Sequence, residues 1–319
     1  MSGRVVLLTD ALMDRHAAPG HVERPPRREA VAAGVRDAAG PALDERSAAP
    51  AGGDLLALVH DPAYLAALER IDAQGGAWLD PDTYVVPGSV DAARLAAGAT
   101  VEAARLVADG TAAVAFAAVR PPGHHAASTQ GSGFCLVNNV AVAVAALRAD
   151  RRAHRIAIVD WDVHHGDGTQ SIFDADPGVC YASTHQSPLY PGTGEPWERG
   201  VGPGEGTMHN RPLAPGSGDD EFIDAWRTEL LPAIEAFAPE AILVSAGYDG
   251  HANDPLAHLA LTENGYEAVA NALGELGARL GLPGIAVTLE GGYDLDAIRG
   301  SAAATVRGLL AGAGHGKPA

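Results

Sequence analysis

The stretch Ile156-Ala-Ile-Val-Asp-Trp-Asp-Val-His-His-Gly-Asp167 changes abruptly from apolar to polar residues at Asp160. Its first part is apolar throughout, whereas a strand with one face in water would alternate between apolar and polar residues. A continuously apolar strand is typical of a parallel sheet that helices cover on both faces. The stretch therefore predicts an α/β fold in which a polar cluster follows a buried strand.

Similar apolar runs alternate with long alanine-rich segments along the chain. The predicted strands are Arg4–Thr9, Ala113–Val119, Ile156–Asp160, Val179–Ser183, Ile242–Ser245 and Ile285–Leu289. The predicted helices are Val90–Ala108, Asn139–Arg148, Phe222–Ala236, Asn264–Leu280 and Leu295–Leu310. No internal repeat or linker separates these segments, so we predict a single domain over residues 1–311 and a flexible C-terminal tail over residues 312–319.

Bulk composition limits the class of protein. Hydrophobic residues make up 47% of the 319 positions, yet no run approaches the roughly 20 apolar residues of a membrane span. The N-terminal apolar run favours a first strand over a secretory signal, so we expect a cytoplasmic protein without membrane association. Cys135 and Cys180 form no Cys-x-x-Cys pair and are expected to be buried, inert thiols.

The formal net charge of −18 argues against a nucleic-acid partner, because duplex binding needs a basic surface. The charge is compatible with cationic substrates such as lysine-rich proteins or polyamines. A generally acidic proteome explains the same charge, so it selects no substrate on its own. Both a monomer and a homo-oligomer are compatible with the sequence.

Four predicted strands run directly into polar clusters, at Arg120–His125, Asp160–Asp167, Ser245–Asp249 and Glu290–Tyr293. In open parallel sheets, sites form at the carboxyl ends of the strands. We therefore expect these four loops to meet at one rim of the sheet.

A metal site is predicted from Asp162 and His164, which are two positions apart and can grip one ion from the same side of an extended loop. Asp249 would complete three ligands and leave a fourth position open, the mark of catalytic rather than structural zinc. Fe(II) or Co(II) could substitute on such mixed nitrogen and oxygen ligands. A single Asp-x-His pattern is equally typical of a capping aspartate beside a core histidine, but the dense polar run from Asp160 to Asp167 favours the metal.

Adjacent histidines, His124 and His125, can supply a general base for water and a general acid for a leaving amine. Each needs a carboxylate to fix its tautomer, and Asp160 and Asp167 are available for this. Alone, a histidine pair is as frequent at surfaces and metal sites. Tyr293, after two glycines, is a candidate to polarise a carbonyl, although the glycine motif alone is also typical of a turn with a packing tyrosine.

Taken together, nine segments resemble the histone deacetylase, acetylpolyamine deacetylase and acetoin-utilisation family, with bacterial class II-like histone deacetylase homologues among its members. The segments occur in the family's order and are spread over nearly the whole length of the chain. They are Gly20–Pro25, His60–Tyr64, Arg120–Ala126, Gly133–Asn139, Asp160–Thr169, Tyr190–Gly194, Ser245–Asp249, Asp254–Leu256 and Leu289–Tyr293.

The resemblance implies an arginase-like, three-layer α/β/α fold with an eight-stranded, mostly parallel sheet. It also implies a zinc-dependent amidohydrolase that removes the acyl group from acetyl-lysine in proteins or from a small acetylated amine. The implied zinc ligands are Asp162, His164 and Asp249, and the implied catalytic residues are His124, His125, Tyr293, Asp160 and Asp167. A structural potassium ion is implied on Asp160, Asp162, His164, Ser183 and Thr184.

For the substrate, the resemblance implies a narrow tunnel with Phe134 and Tyr190 as aromatic walls and Gly133 in its lining. Asp82 is the candidate for a rim aspartate that clamps the substrate backbone. Leu256 follows Asp254-Pro255 at a position where some polyamine-selective members carry glutamate, and leucine offers no charge to a cation.

Three alternative functions have to be distinguished from this one by experiment. An acetylpolyamine amidohydrolase would use the same site on a different amine. A dimetal ureohydrolase of the arginase type shares the fold, but its Asp-Ala-His-x-Asp run is missing. A non-catalytic acyl-lysine-binding protein is disfavoured because every proposed catalytic group is present.

Overall fold

The computed structural model describes residues 3–314. Its strands are β1 (Val5–Leu8), β2 (Leu43–Arg46), β3 (Ala77–Trp78), β4 (Tyr84–Val85), β5 (Val114–Ala117), β6 (Ile156–Asp160), β7 (Val179–Gln186), β8 (Met208–Leu213), β9 (Ala241–Ala246) and β10 (Ile285–Leu289). Its helices are α1 (Pro26–Ala39), α2 (Gly53–Leu56), α3 (Pro62–Ala73), α4 (Ser89–Ala108), α5 (Asn139–Ala149), α6 (Asp167–Phe173), α7 (Asp219–Asp224), α8 (Leu231–Phe237), α9 (Glu263–Arg279) and α10 (Leu295–Gly312).

Eight strands form one sheet in the order β2-β1-β5-β10-β9-β6-β7-β8, and every neighbouring pair is parallel. Helix α4 packs on β1, β5 and β10 together with α5, whereas α1 and α10 pack on β1 and β5 together with α9. The two sets of helices therefore cover opposite faces of the sheet. This confirms the predicted α/β class and the eight-stranded sheet, which is parallel throughout.

The central strands follow the predicted bounds closely because they are apolar and fully buried. Strands β6 and β10 have the predicted bounds, and β9 is one residue longer at each end. The residue pattern did not predict β2 and β8, which form the two edges of the sheet. Their sequences, Leu-Asp-Glu-Arg and Met-His-Asn-Arg-Pro-Leu, are mostly polar because an edge strand has fewer neighbours to bury it.

The helix predicted over Phe222–Ala236 is present but is not α-helical throughout. A π-helical segment, Ala225–Leu230, separates α7 from α8. Pro232 lies at the start of α8, and its missing N–H cannot continue the regular hydrogen-bond pattern. The wider turn accommodates this break without ending the helix.

Helices α5 and α10, which directly follow two loops of the site, are each preceded by a residue whose side chain caps the helix. The Asn138 side chain accepts a hydrogen bond from the Ala141 amide at 3.0 Å, so α5 begins where the loop after β5 ends. In the same way Asp294, the residue after Tyr293, accepts a hydrogen bond from the Ala297 amide at 2.9 Å and caps α10, which begins at Leu295. The ends of both loops are thereby fixed to the scaffold.

Cys135 and Cys180 are both buried and unpaired, as predicted. Helix α10 extends to Gly312, and the last part of the predicted tail, residues 315–319, lies outside the described residues. Within residues 3–314, no helix combines the length and apolar character needed to cross a membrane.

Candidate active site

The four polar clusters follow β5, β6, β9 and β10, which are adjacent in the sheet in the order β5-β10-β9-β6. Their carboxyl ends consequently meet at one edge. A pocket of about 250 Å³ opens there. It is lined by Asp82, Pro122, His124, His125, Gly133, Phe134, Asp162, His164, Leu189, Tyr190, Leu256, Gly291 and Tyr293.

Asp162, His164 and Asp249 form a compact cluster whose ligand atoms all lie within 4.8 Å of one another. His164 Nδ1 is 3.1 Å from Asp162 Oδ1 and 3.2 Å from Asp249 Oδ2. Gly247 and Gly291 leave room for the cluster, since a Cβ at either position would overlap the Asp162 carboxylate. The loop after β6 and the loop after β9 thus supply the three groups that the sequence predicts as metal ligands.

The donor chemistry of this cluster fits a divalent cation. Asp249 Oδ2 is buried and has no well-formed hydrogen bond within the described residues, and His164 Nδ1 lies 3.2 Å from it. Burial alone would lower the pKa of His164, but Asp162 and Asp249 raise that pKa to about 10. Two buried carboxylates therefore demand a positive charge, which a bound metal ion would supply.

Two histidine–aspartate pairs adjoin the cluster. His124 Nδ1 lies 3.1 Å from Asp160 Oδ2, and His125 Nδ1 lies 2.7 Å from Asp167 Oδ1. The two imidazole rings are 4.0 Å apart between centroids. Because Nδ1 of each ring faces a carboxylate, Nε2 is the nitrogen left for other partners. His124 Nε2 is 3.8 Å from Asp162 Oδ1.

The two imidazoles differ in their electrostatic surroundings. Burial alone would lower the pKa of His124, but the carboxylates of Asp162 and Asp160 raise that pKa well above its usual value. Burial and the neighbouring His124 lower the pKa of His125 to about 4, against the opposing effect of Asp167. The surroundings of the two rings thus shift their pKa values in opposite directions.

Aromatic rings form the walls of the pocket. Phe134 meets Tyr293 edge to face at 5.9 Å between centroids, and Tyr190 meets His125 in the same way at 5.2 Å. Tyr190 is 45% exposed, so its ring reaches from the pocket to the surface. Leu256 also lines the pocket.

Asp82 lies in the turn between β3 and β4, a hairpin that the residue pattern did not predict. The backbone carbonyl of Asp82 accepts a hydrogen bond from His21 Nε2 at 3.0 Å. The next residue, Thr83, accepts a hydrogen bond from the Phe134 amide at 3.0 Å. The hairpin is therefore attached to the aromatic wall, and Asp82 lines the pocket.

Five predicted site residues lie outside the pocket lining: Asp160, Asp167, Asp249, Ser183 and Thr184. The first three contact lining residues, whereas Ser183 and Thr184 lie in β7. Ser183 lies beside Asp160 in the β6–β7 register and its hydroxyl is 2.9 Å from His185 Nδ1. Thr184 accepts a hydrogen bond from Trp226 Nε1 at 3.1 Å. Both are buried within the sheet.

Several residues that support the site were assigned no role from sequence. Arg27 lies with its guanidinium 4.7 Å from the centre of the Tyr293 ring and forms a buried ion pair with Glu23 at 2.9 Å. Asp254 accepts a hydrogen bond from the Tyr293 amide at 2.7 Å. The Glu290 carboxylate accepts hydrogen bonds from the backbone amides of Gly123 and His124. Glu23, Asp254 and Glu290 lie in segments that carry the family resemblance, whereas Arg27 lies outside all nine segments.

Comparison with known proteins gives a consistent result. Residues 21–309 match the model of the histone deacetylase domain. A probable deacetylase of Methanothermobacter thermautotrophicus is 40% identical over 96% of this chain and 90% of its own length. A histone deacetylase-like amidohydrolase of Pseudomonas aeruginosa is 38% identical over 87% of this chain and 73% of its own length.

A solved structure agrees in fold. The crystal structure of the HDA15 HD domain matches with a TM-score of 0.90 and 37% identity, over 98% of this chain and 90% of that chain. The eight-stranded sheet is thus the arginase and deacetylase fold. By sequence and by structure, the chain belongs to the histone deacetylase family.

Proposed function

We propose that the protein is a zinc-dependent deacylase that hydrolyses the amide of acetyl-lysine in proteins or of a small acetylated amine. The observation that carries this proposal is the three-ligand cluster Asp162, His164 and Asp249 beside two histidine–aspartate pairs in one pocket. A zinc ion held there would supply Lewis-acid polarisation of the carbonyl and of the attacking water.

The two imidazoles carry the proton transfers. A neutral imidazole takes a proton from the attacking water, and a protonated imidazole gives one to the leaving amine. Asp160 and Asp167 hold Nδ1 of His124 and His125, which leaves Nε2 of each ring free for this work. Tyr293 donates a hydrogen bond to the carbonyl oxygen as negative charge develops on it.

The pocket wall selects the substrate. Phe134 and Tyr190 offer apolar faces to the methylene chain that connects an acylated nitrogen to the rest of the substrate. Gly133 keeps the passage open, and Asp82 can accept hydrogen bonds from a peptide backbone at the rim.

We further propose a structural potassium ion on Asp160, Asp162, His164, Ser183 and Thr184. Its support is the side-by-side placement of Asp160 and Ser183 across β6 and β7, fully buried next to the metal cluster. We retain, as predictions from sequence, a cytoplasmic location and the lack of a nucleic-acid or membrane partner.

A substrate panel tests the proposed function. The zinc-loaded protein is incubated with acyl-lysine peptides and acetylated polyamines, with and without a hydroxamate chelator, and the released acid is measured. We expect release that the chelator abolishes and about one zinc per chain. Tight binding of acyl-lysine without turnover would support the non-catalytic alternative, and two manganese ions per chain would support the ureohydrolase.

We expect acetyl-lysine peptides to be preferred over acetylspermidine and acetylputrescine. Leu256 lines the pocket, and a second ammonium group held against it would lose hydration without a partner, at a cost on the order of a few kcal/mol. Each 1.4 kcal/mol corresponds to about tenfold in kcat/KM. The measurement is kcat/KM for both substrate classes.

The Leu256→Glu variant should shift this preference toward polyamines. Leu189→Glu is the matched control, because Leu189 lines the same pocket at another position. A polyamine preference of about tenfold or more in the unmodified protein would show that other acidic groups decide the specificity.

We expect Gly133→Ala to lower kcat/KM by about tenfold or more. Gly133 has a φ of 53°, where a side chain costs about 1–2 kcal/mol, and a Cβ there would overlap the His125 ring. The control is Gly216→Ala, since Gly216 has a φ of 88° but open space around it. Equal activity of the two variants would contradict a specific need for space beside His125.

A further inference from the structure

Glu290, the first residue after β10, carries a fully buried carboxylate. No arginine or lysine side chain among residues 3–314 forms a salt bridge with it; the Arg27 guanidinium binds its backbone carbonyl instead, at 2.5 Å. A buried carboxylate without an arginine or lysine partner is costly unless hydrogen bonds satisfy it, and the His124 imidazole is the neighbouring group that can carry positive charge. The partners of this carboxylate therefore indicate what it does.

Three donors surround the Glu290 carboxylate. Oε2 accepts from the amide of Gly123 at 2.6 Å and from the amide of His124 at 3.1 Å. Oε1 accepts from the Ser245 hydroxyl at 3.0 Å, and Ser245 lies on the adjacent strand β9. The side chain thus connects the loop after β5 to β9 and β10.

The backbone amide of His124 donates to Glu290, whereas the carbonyl and the ring of His124 bind other residues. The His124 carbonyl accepts a hydrogen bond from the Thr169 amide at 2.9 Å, and its ring is held by Asp160. Without the Glu290 contact, the Gly123–His124 peptide plane keeps one hydrogen bond among the described residues, from the Ala126 amide to the Gly123 carbonyl at 3.0 Å, and can rotate more easily. Such a rotation would displace the imidazoles of both His124 and His125.

We propose that Glu290 is a positioning residue that fixes the His124–His125 segment through hydrogen bonds rather than through its charge. This inference rests on the proposed function, since it assigns a purpose to the placement of the two histidines. A misplacement of about 1 Å in a catalytic group can cost on the order of 10²-fold in rate. The effect should appear mainly in kcat, because the displaced histidines act in the proton transfers, whereas the aromatic walls Phe134 and Tyr190 lie on other segments.

Two variants separate hydrogen bonding from charge. Glu290→Gln keeps the length of the side chain: its carbonyl oxygen can accept from both amides while its NH₂ group donates to Ser245. Glu290→Asp keeps the charge but is one methylene shorter, so it cannot reach all three donors. Burial raises the pKa of Glu290 to about 7, so the neutral amide suits this environment.

We expect Glu290→Gln to retain kcat within about threefold of the unmodified protein and Glu290→Asp to lose about 10²-fold, with KM nearly unchanged in both. Zinc content and the Kd of a hydroxamate should stay constant. Equal losses in the two variants, a larger loss in Glu290→Gln, or normal kcat in Glu290→Asp would each overturn the proposal.

Histidine NMR provides a readout that does not depend on turnover. The ring resonances of His124 and His125 should move in Glu290→Asp and stay in place in Glu290→Gln, and unmoved resonances in Glu290→Asp would overturn the proposal. If the proposed function is wrong, the unmodified protein will release no acid from any substrate. The NMR comparison of the two variants still tests the positioning role of Glu290 in that case.

Discussion

Asp249→Ala is expected to remove the bound zinc and the activity of the protein together. Asp249 is 1% exposed, and its Oδ1 accepts a hydrogen bond from the Val163 amide at 2.9 Å. Its Oδ2 has no well-formed hydrogen bond within the described chain and belongs to the cluster with Asp162 and His164. The variant would keep only two of three protein ligands, too few for a catalytic zinc site.

The expected loss of kcat is about 10³-fold or more, since Lewis-acid stabilisation of the transition state is worth several kcal/mol and each 1.36 kcal/mol is tenfold in rate. Zinc per chain is measured by elemental analysis after dialysis, beside the deacylation rate. Asp249→Asn serves as a second variant that can keep the Val163 hydrogen bond, so a common loss in both is due to the ligand. An Asp249→Ala protein that binds zinc tightly and turns over normally would refute the assignment.

The position of the cluster Asp162, His164 and Asp249 was predictable from sequence, because it depends only on local residue pattern and on the order of the strands. Continuously apolar segments such as 156–159 are typical of a parallel sheet covered on both faces, and the polar residues that follow are then expected at its carboxyl edge. Asp162 and His164 follow one such strand, and Asp249 follows the neighbouring one. Local pattern and sheet topology together bring the three groups close.

The supporting residues were not predictable in this way, since their roles depend on contacts between distant parts of the chain. Arg27 binds the carbonyl of Glu290, 263 positions away. Glu290 binds the amide of His124, 166 positions away. Neither hydrophobic periodicity nor motif spacing in the sequence predicts such a contact. The family resemblance marked the segments but not the reason for each residue.

The rim of the pocket was also difficult to predict from sequence, for a different reason. Strands β3 and β4 have two residues each, too few for an alternating pattern to be recognised. Their turn nevertheless places Asp82 in the pocket wall and binds the Phe134 amide through Thr83. Only the resemblance suggested Asp82, and its role in binding a substrate backbone stays a prediction.

Tyr293→Phe is expected to keep the fold and the metal but to lose most of the activity. The ring is held without its hydroxyl group: Phe134 contacts it edge to face, the Arg27 guanidinium lies over it, and its backbone amide donates to Asp254. Burial raises the pKa of the Tyr293 phenol well above its usual value, so the hydroxyl group stays protonated and able to donate at neutral pH.

Deletion of one oxyanion donor typically costs on the order of 10²–10³ in rate, and this is the expected loss of kcat for Tyr293→Phe. KM and zinc content should change little, because neither the pocket walls nor the metal ligands are altered. Tyr248→Phe is the matched control: Tyr248 is fully buried, its hydroxyl donates to Thr305 at 3.1 Å, and it does not line the pocket. The control should retain normal kcat, so the difference between the two variants isolates the hydroxyl group at the site. A Tyr293→Phe protein within about twofold of the unmodified rate would make this phenol a packing residue, and the carbonyl would then need another donor.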